Sequence, residues 1–337
     1  MRVPGLGKQY LKWILVALIV ILLPLVIRDP FSIHIVIMVL FMAYLGMCWN
    51  LMGGLAGQFS LGHSAFFGLG AYTSTILFYN LGISPLVGIF AGGIVAAVAS
   101  LFVGYSSLRL KNHYFALATL AFSQVLRVFF VDTRELFGLE VRGAQGLLLP
   151  LVGNSPLMLQ FDSKTGYYYF IVILVCVILV VSKAVMDSRL GYYLKATRDQ
   201  EQAAECVGVR TTRAKVSVGA ISAFFTALGG TFYAQFLYYI DPGVFGLSWG
   251  IEILSIVIIG GIGSFWGPLL GAIILVPLGE VTRIYLSGNL AGLHLVIYGL
   301  VIILVMLLIP KGIVSLLDWK KFIKKGGGGD GTVLARE

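Results

Sequence analysis

The sequence predicts an all-α integral membrane protein, and two observations carry this prediction: the composition and the length of the apolar runs. Of 337 residues, 58% are hydrophobic and only 12% are charged, and the mean hydropathy is +0.95. A soluble domain carries about 25% charged residues, so this chain cannot cover a surface that faces water. The composition therefore argues against a soluble enzyme, a nucleic-acid-binding protein and a disordered chain.

The apolar runs are continuous and about twenty residues long, which is typical of membrane-spanning helices rather than alternating barrel strands. Ten such segments are expected, at residues 12–27, 32–52, 58–79, 83–108, 113–131, 166–186, 214–238, 248–263, 267–286 and 290–310. Basic residues precede the first segment, as in a signal peptide. No small-residue cleavage site follows it, so we interpret it as a retained helix.

Glycines interrupt the third and eighth segments, within 53–57 and 260–263. These segments occupy equivalent places in two halves of five, so the chain would form an inverted 5+5 repeat. Interrupted helices near 53–64 and 260–267 would then point to a translocation path. The alternative is that small residues only allow close helix packing.

Basic residues predict the orientation in the membrane. With ten spans and a cytoplasmic N-terminus, eighteen Lys and Arg fall on the cytoplasmic side and six on the outer side, as the positive-inside rule requires. Both termini are then cytoplasmic, 132–165 is an extracytoplasmic loop and 187–213 is a cytoplasmic loop. Residues 1–325 form the permease domain, and the glycine-rich stretch 326–337 is a flexible tail.

Motifs for bond-breaking chemistry are missing from the sequence. It has no P-loop, no His-Glu-x-x-His and no Gly-x-Ser-x-Gly, and its three cysteines have no metal-like spacing,. We therefore expect neither an enzyme, nor a cofactor, nor a metal site. Two acids lie within apolar segments: Glu280, which can pair with Arg283 three residues on, and Glu252, which has no such neighbour.

The most polar membrane segment contains Gln58, Ser60, His63 and Ser64. These side chains cannot share one helical face, because Gln58 and Ser60 are about 200° apart around a helix. A helix broken near 57–62 would turn them toward an internal path, so they are candidate path residues together with Glu252. The alternative, equally open, is that they only bond to neighbouring helices.

The cytoplasmic loop predicts a short helix that Thr197 or Asp199 would cap and that would run to Val207, with Gly208 as its stop. Such a helix could lie on the bilayer surface, but an alanine-rich turn that ends in glycine favours a knob for a cytoplasmic partner. The candidate coupling residues are Arg198, Asp199, Ala203, Ala204, Glu205, Gly208 and Arg210.

Several runs resemble the permeases of the branched-chain amino acid ABC transporters. Residues 50–72 resemble their glycine-rich signature, 196–209 their coupling loop and 259–272 their late glycine-proline signature. The run 109–122 is similar to the M-type (LivM) subunit, and it adds Thr119 to the candidate path residues. One departure is the turn at 142–146, where the family usually has Thr/Ser-Gly-Gly-x-x-Gly.

This resemblance implies an importer in the plasma (inner) membrane of a prokaryote. The implied partners are a second permease subunit of the H-type, two cytoplasmic ATP-binding subunits, an extracytoplasmic substrate-binding protein and membrane lipid, but no nucleic acid. The family also includes permeases for urea and short amides, so these substrates, and amino acids other than the branched-chain ones, stay open. An ion-coupled secondary transporter is the rival, and Glu252 and His63 are its only obvious titratable groups.

Overall fold

The computed structural model describes residues 22–24, 29–107, 112–286, 293–309 and 312–315. Its helices are α1 (Pro30–Asn50), α2 (His63–Leu81), α3 (Pro85–Ser107), α4 (Asn112–Asp132), α5 (Lys164–Asp187), α6 (Arg189–Asp199), α7 (Glu201–Cys206), α8 (Thr211–Leu237), α9 (Leu247–Gly260), α10 (Gly267–Leu286) and α11 (Leu293–Leu308). A π-helical turn, Leu51–Leu55, extends α1.

Six of the described helical segments are long and apolar enough to cross a membrane, and they include all or most of α1, α3, α4, α5, α8 and α10. Two shorter apolar segments are Leu247–Gly260 and Gly299–Leu308. The expected all-α membrane architecture is therefore confirmed. The first expected span, 12–27, falls mainly outside the described residues, and the tail 326–337 falls wholly outside them.

Helix α1 begins where the sequence changes from charged to apolar. The Asp29 carboxylate accepts hydrogen bonds from the Ser32 hydroxyl at 2.8 Å and from the Ser32 backbone N–H at 2.9 Å, and Pro30 takes the first helical position. Those two bonds hold the pKa of Asp29 below its ordinary value, because they favour the charged form. The cap thus satisfies a free N–H at the start of the helix.

Helices α2 and α8 run parallel and pack closely through glycines. A Cβ atom at Gly230 would lie 2.0 Å from the Phe67 carbonyl oxygen, and one at Gly70 would lie 2.1 Å from the Ala227 carbonyl oxygen. The two backbones can approach this closely only where no side chain intervenes, as is common between membrane helices. Helix α3 packs against both, so the three helices form one closely packed unit.

The two ends of the bundle carry different structures. At one end, named here the hairpin end, β1 (Glu135–Leu136) pairs with β2 (Leu139–Glu140), and β3 (Leu147–Leu148) pairs with β4 (Tyr239–Ile240), all antiparallel. The side chain of Asn80, at the end of α2, bonds both backbone groups of Glu140. The opposite end, named the coupling end, carries α6 and α7.

The helical path is broken in two places. The backbone is irregular over 56–62, between the π-helical turn and α2, and over 261–266, between α9 and α10. Both breaks contain glycines with positive φ, at Gly57, Gly261 and Gly263. Irregular backbone at membrane depth must find hydrogen-bond partners inside the protein or in a wet cavity.

Candidate translocation and coupling sites

Four of the predicted path residues are tied into buried hydrogen-bond networks. His63 is 1% exposed and Ser60 is 1% exposed. The His63 ring lies with Nδ1 3.0 Å from the Ser60 hydroxyl oxygen and Nε2 2.9 Å from the Ser222 hydroxyl oxygen. Ser222, on α8, donates in turn to the Cys48 carbonyl oxygen at 2.6 Å. The network therefore joins α1, α2, α8 and the irregular segment 56–62.

The directions of these bonds assign the tautomer of His63. Ser222 has one hydroxyl hydrogen, and it is used on the Cys48 carbonyl, so Ser222 must accept from Nε2–H. Nδ1 then carries no hydrogen and accepts from the Ser60 hydroxyl. Each ring nitrogen of a neutral imidazole thus has a suitable partner.

Ser64 and Thr119 are also bonded. Ser123, on α4, donates to the Phe245 carbonyl oxygen at 2.6 Å, so the 2.8 Å contact between the Ser64 and Ser123 hydroxyls has Ser64 as its donor. The Thr119 hydroxyl accepts from the Leu61 N–H at 3.2 Å and donates to the Ala116 carbonyl at 2.9 Å. The polar side chains that stood out in the sequence therefore hold α2 to α4, α8 and the neighbouring irregular backbone.

The two remaining candidate path residues are Gln58 and Glu252. Gln58 is 3% exposed, and its Oε1 has no hydrogen-bond partner among the described residues. Glu252 lies on α9 and is partly buried. The expected pairing of Glu280 with Arg283 is confirmed by a nitrogen–oxygen distance of 2.7 Å.

A second polar set lies at the hairpin end of α2 and α8, and sequence reasoning missed it. Ser74 is 1% exposed, Thr75 is fully buried and Gln235 is 1% exposed. Within the described residues, neither hydroxyl nor either polar atom of the Gln235 amide has a hydrogen-bond partner. The Tyr72 hydroxyl is likewise buried without a partner, while its ring packs on Phe130 and Phe245.

The two helix breaks meet at the coupling end. The amide of Asn50 donates to the Ser264 carbonyl at 2.9 Å and accepts from the Gly263 N–H at 2.8 Å, so it joins the end of α1 to the second break. Arg198 Nη1 donates to the Gly54 carbonyl at 2.5 Å. An amide inside an apolar run needs partners, and that signal could have singled out Asn50 in the sequence.

The structure of residues 187–213 corrects one prediction. The chain forms two helices, α6 and α7, rather than one helix capped by Thr197 or Asp199. Ser188 caps α6 by accepting from the Gly191 N–H, and the break between the helices falls at Gln200, whose backbone is extended. Thr197 cannot act as a cap because it is buried inside α6, where its hydroxyl donates to the Tyr193 carbonyl at 2.7 Å.

The stop at Gly208 is confirmed, since φ there is +88° and the Gly208 and Val209 N–H groups bond back to carbonyls of α7. Helix α7 is fixed to the first turn of α8 by two side-chain contacts. Glu201 accepts from Lys215 at 2.5 Å, and Glu205 accepts from the Thr211 hydroxyl at 2.6 Å. Lys215 is only 3% exposed, so Glu201 neutralises a buried charge,.

Candidate metal ligands do not cluster: among the described residues, no group of three or more His, Cys, Asp or Glu side chains could hold a metal ion. Cys48 is buried, whereas Cys176 and Cys206 are exposed, and all three are free thiols.

The fold and these sites define a class: a helical membrane protein with a buried polar network and a helical segment, 187–213, at the coupling end. Residues 31–306 match the family model described as "Branched-chain amino acid transport system / permease component". The chain belongs to this family, and it is a permease component rather than an enzyme.

Comparison with individual proteins gives the same family. The chain is 27% identical to the LivM permease protein of the high-affinity branched-chain amino acid transport system of Salmonella typhimurium, covering 88% of this chain and 72% of the relative. It is 28% identical to LivM of Escherichia coli, covering 91% and 77%. Similarity to LivH of Salmonella typhimurium is lower, at 24%, covering 81% and 91%. No solved structure matches the chain.

Proposed function

We propose that the chain is the M-type permease subunit of an ABC importer for branched-chain amino acids in a prokaryotic inner membrane. The observation that carries the proposal is the family match across 31–306, together with the similarity to LivM over most of both chains. The proposed partners are an H-type permease, two cytoplasmic ATP-binding subunits and an extracytoplasmic substrate-binding protein.

The complete membrane domain, 1–325, would contain ten spans in an inverted 5+5 arrangement, with both termini and α6–α7 in the cytoplasm. Irregular backbone lies beside both spans that this repeat would pair: 56–62 precedes the third span, and 261–266 follows the eighth,. The hairpin end, 132–165, would then face the binding protein.

Cysteine labelling tests this orientation. Asp162 and Gln202 are both exposed, on the hairpin end and on α7. In a background without Cys48, Cys176 and Cys206, Asp162→Cys should react with an impermeant maleimide in whole cells, and Gln202→Cys should react only after the membrane is opened. The reverse pattern would refute the orientation.

The translocation path would run beside the break at 56–62, bordered by Gln58, Ser60, His63, Ser64, Thr119 and Glu252. The hydrogen bonds of His63, Ser64 and Thr119 would hold the irregular backbone at 56–62 in its conformation while neighbouring helices move. A solute with charged or amide groups gains little from lipid, so the path must offer polar groups or water along its length.

Residues 197–210 would couple the path to the ATP-binding subunits, through Arg198, Asp199, Ala203, Ala204, Glu205, Gly208 and Arg210. Helix α7 is exposed apart from Ala204 and is fixed to α8 by Glu201 and Glu205. Glu205→Lys or Gly208→Pro should leave the permease in the membrane but weaken capture of the ATP-binding subunits in a pull-down. Unchanged capture and unchanged ATP-driven uptake would contradict this role.

Reconstitution of the complex in proteoliposomes tests the function. Leucine uptake should require ATP, the ATP-binding subunits and the binding protein. Uptake driven by a sodium or proton gradient without the ATP-binding subunits would instead identify a secondary transporter. Competition by isoleucine and valine, set against urea and acetamide, decides between the proposed substrate and the alternative within the family.

A further inference from the structure

The register of α2 against α8 brings the unpartnered polar groups of the two helices to one level. The Thr231 hydroxyl donates to the Gly70 carbonyl at 3.3 Å. Because the helices are parallel, Gln235 and Ser74 lie one turn further on, and Thr75 follows Ser74 directly. The Ser74 side chain packs against α3, since a Cβ atom at Gly88 would lie 2.6 Å from its hydroxyl oxygen. This level lies one turn nearer the hairpin end than the last glycine contact.

Such groups destabilise the protein in this conformation. A buried polar atom that has lost its hydrogen bonds to water is destabilising unless a partner replaces them, and Gln235 alone buries two atoms that have no partner among the described residues. Leucine or valine would fill the same space without that cost. The arrangement is therefore explained by a polar partner that the groups meet in another conformation of the transport cycle.

We propose that Gln235, Ser74 and Thr75 form a binding site for the polar part of the transported solute when α2, α3 and α8 separate at the hairpin end. The site is uncharged and offers both kinds of hydrogen-bonding group: the Gln235 amide N–H₂ and two hydroxyls as donors, and Gln235 Oε1 as an acceptor. This suits a carboxylate and an ammonium group borne by one solute of zero net charge. The proposal rests on the proposed import function and names a contact for its substrate.

Paired measurements of stability and uptake test the site. Gln235→Leu and Thr75→Val should leave the thermal midpoint of the purified complex unchanged or raised, because they remove unpaired polar atoms. Uptake of radiolabelled leucine, normalised to assembled complex, should fall at least tenfold for Gln235→Leu. Thr231→Val is the matched control on the same face of α8: it should lower the midpoint and leave the normalised uptake as in the unmodified protein.

Three outcomes would overturn the site. Normal normalised uptake by both variants would exclude a substrate contact. A lower midpoint with normal uptake would show that the groups hold only ordered water. The comparison is repeated with urea and acetamide. A complex that transports one of these solutes rather than leucine refutes the proposed substrate. Variants that transport that solute at the normal rate refute the site.

A separate observation concerns Arg198, which contacts both helix breaks. Besides the bond from Nη1 to the Gly54 carbonyl, a Cβ atom at Gly57 would lie 3.0 Å from Arg198 Cγ, and one at Gly263 would lie 2.6 Å from Nη1. One side chain of the last turn of α6 is therefore packed where the two irregular segments come together.

We infer that Arg198 serves the coupling segment as a positioning residue: it transmits movement of α6 to the two breaks without itself contacting the ATP-binding subunits. A guanidinium presents a planar fork of donors and can serve two neighbouring loops at once, which an ammonium group cannot do as well. When α6 moves, the contact at Gly54 and the packing at Gly57 and Gly263 must shift together.

The ratio of leucine uptake to ATP hydrolysis tests this role. Arg198→Ala should keep the ATP-binding subunits in the purified complex but lower the ratio at least fivefold, and Arg198→Lys should restore it only in part. Lys195→Ala, which changes an exposed cation one turn earlier on α6, is the control and should leave the ratio unchanged. Loss of the ATP-binding subunits from Arg198→Ala, or an unchanged ratio, would overturn the inference.

Discussion

The polar groups between α2 and α8 are bonded at the coupling end and unbonded at the hairpin end. His63, Ser60 and Ser222 satisfy one another and the Cys48 carbonyl, whereas Ser74, Thr75 and Gln235, three turns on, have no partner among the described residues. Both sets are buried to the same degree. Burial alone is therefore a poor guide to the role of a polar residue in a membrane helix. Its hydrogen bonds are more informative, because a bonded group holds helices together and an unbonded group can bind a ligand.

The largest effect is expected from removing the close contact on which both regions depend. Gly230→Val places side-chain atoms against the Phe67 carbonyl oxygen, which should cost more than about 3 kcal/mol and prevent assembly. The fraction of monodisperse complex in size-exclusion chromatography is the measurement. Gly299→Ala is the control, because a Cβ atom at that helical glycine would have no atom of the described residues within 4 Å. Assembly of Gly230→Val equal to that of the control would contradict the packing.

The second-largest effect is expected from a substitution in the hydrogen-bonded set at the coupling end. His63→Leu leaves Ser60 and Ser222 without their shared partner, and polar contacts between membrane helices average about 0.6 kcal/mol each, so the free energy of unfolding should fall by about 1 kcal/mol. A double-mutant cycle with Ser222→Ala measures the coupling. Since His63 is also proposed to border the path, uptake per assembled complex should fall as well. A normal rate with lower stability would leave His63 only a role in holding the helices.

Thr119→Val tests a single bond of the same region. It removes the acceptor for the Leu61 N–H, so stability should fall by about 0.6 kcal/mol. Denaturation in mixed micelles followed by fluorescence resolves such a change. A loss of stability larger than that of His63→Leu would mean that α4, rather than α8, fixes the break at 56–62.

The smallest effect is expected at the hairpin end. Tyr72→Phe removes a buried hydroxyl that has no partner and keeps the ring packed on Phe130 and Phe245. The thermal midpoint should stay the same or rise slightly, because no hydrogen bond is lost. A clear fall in the thermal midpoint would mean that this hydroxyl has a hydrogen-bond partner. The contrast between bonded groups at one end and unbonded groups at the other would then be weaker.

Part of this structure could be predicted from the sequence because the controlling physics is local. Apolar length gives the helices at 164–187 and 211–237, and glycine gives the stop at 208. The prediction of a cap at Thr197 is wrong because Ser188, which lies nine positions earlier and also carries a hydroxyl, caps the helix that contains Thr197.

The partners of each polar residue could not be predicted, because they lie far away in the chain. His63 bonds Ser222 across 159 positions, and Arg198 bonds Gly54 across 144. The unpartnered state of Gln235 carries no sequence signal at all, since a buried glutamine with partners and one without them have the same neighbours along the chain.

The attachment of α7 to α8 has a mechanical consequence. Helix α8 has 27 residues and is thus a rod about 40 Å long, with Lys215 bound to Glu201 near one end and Gln235 near the other. A tilt of about 5° about its coupling end would move the far end by about 3–4 Å, which is the span of a hydrogen bond. A force applied to α7, a six-residue helix at one end of the bundle, would thereby move α8 as a lever, and the displacement would be greatest near Gln235.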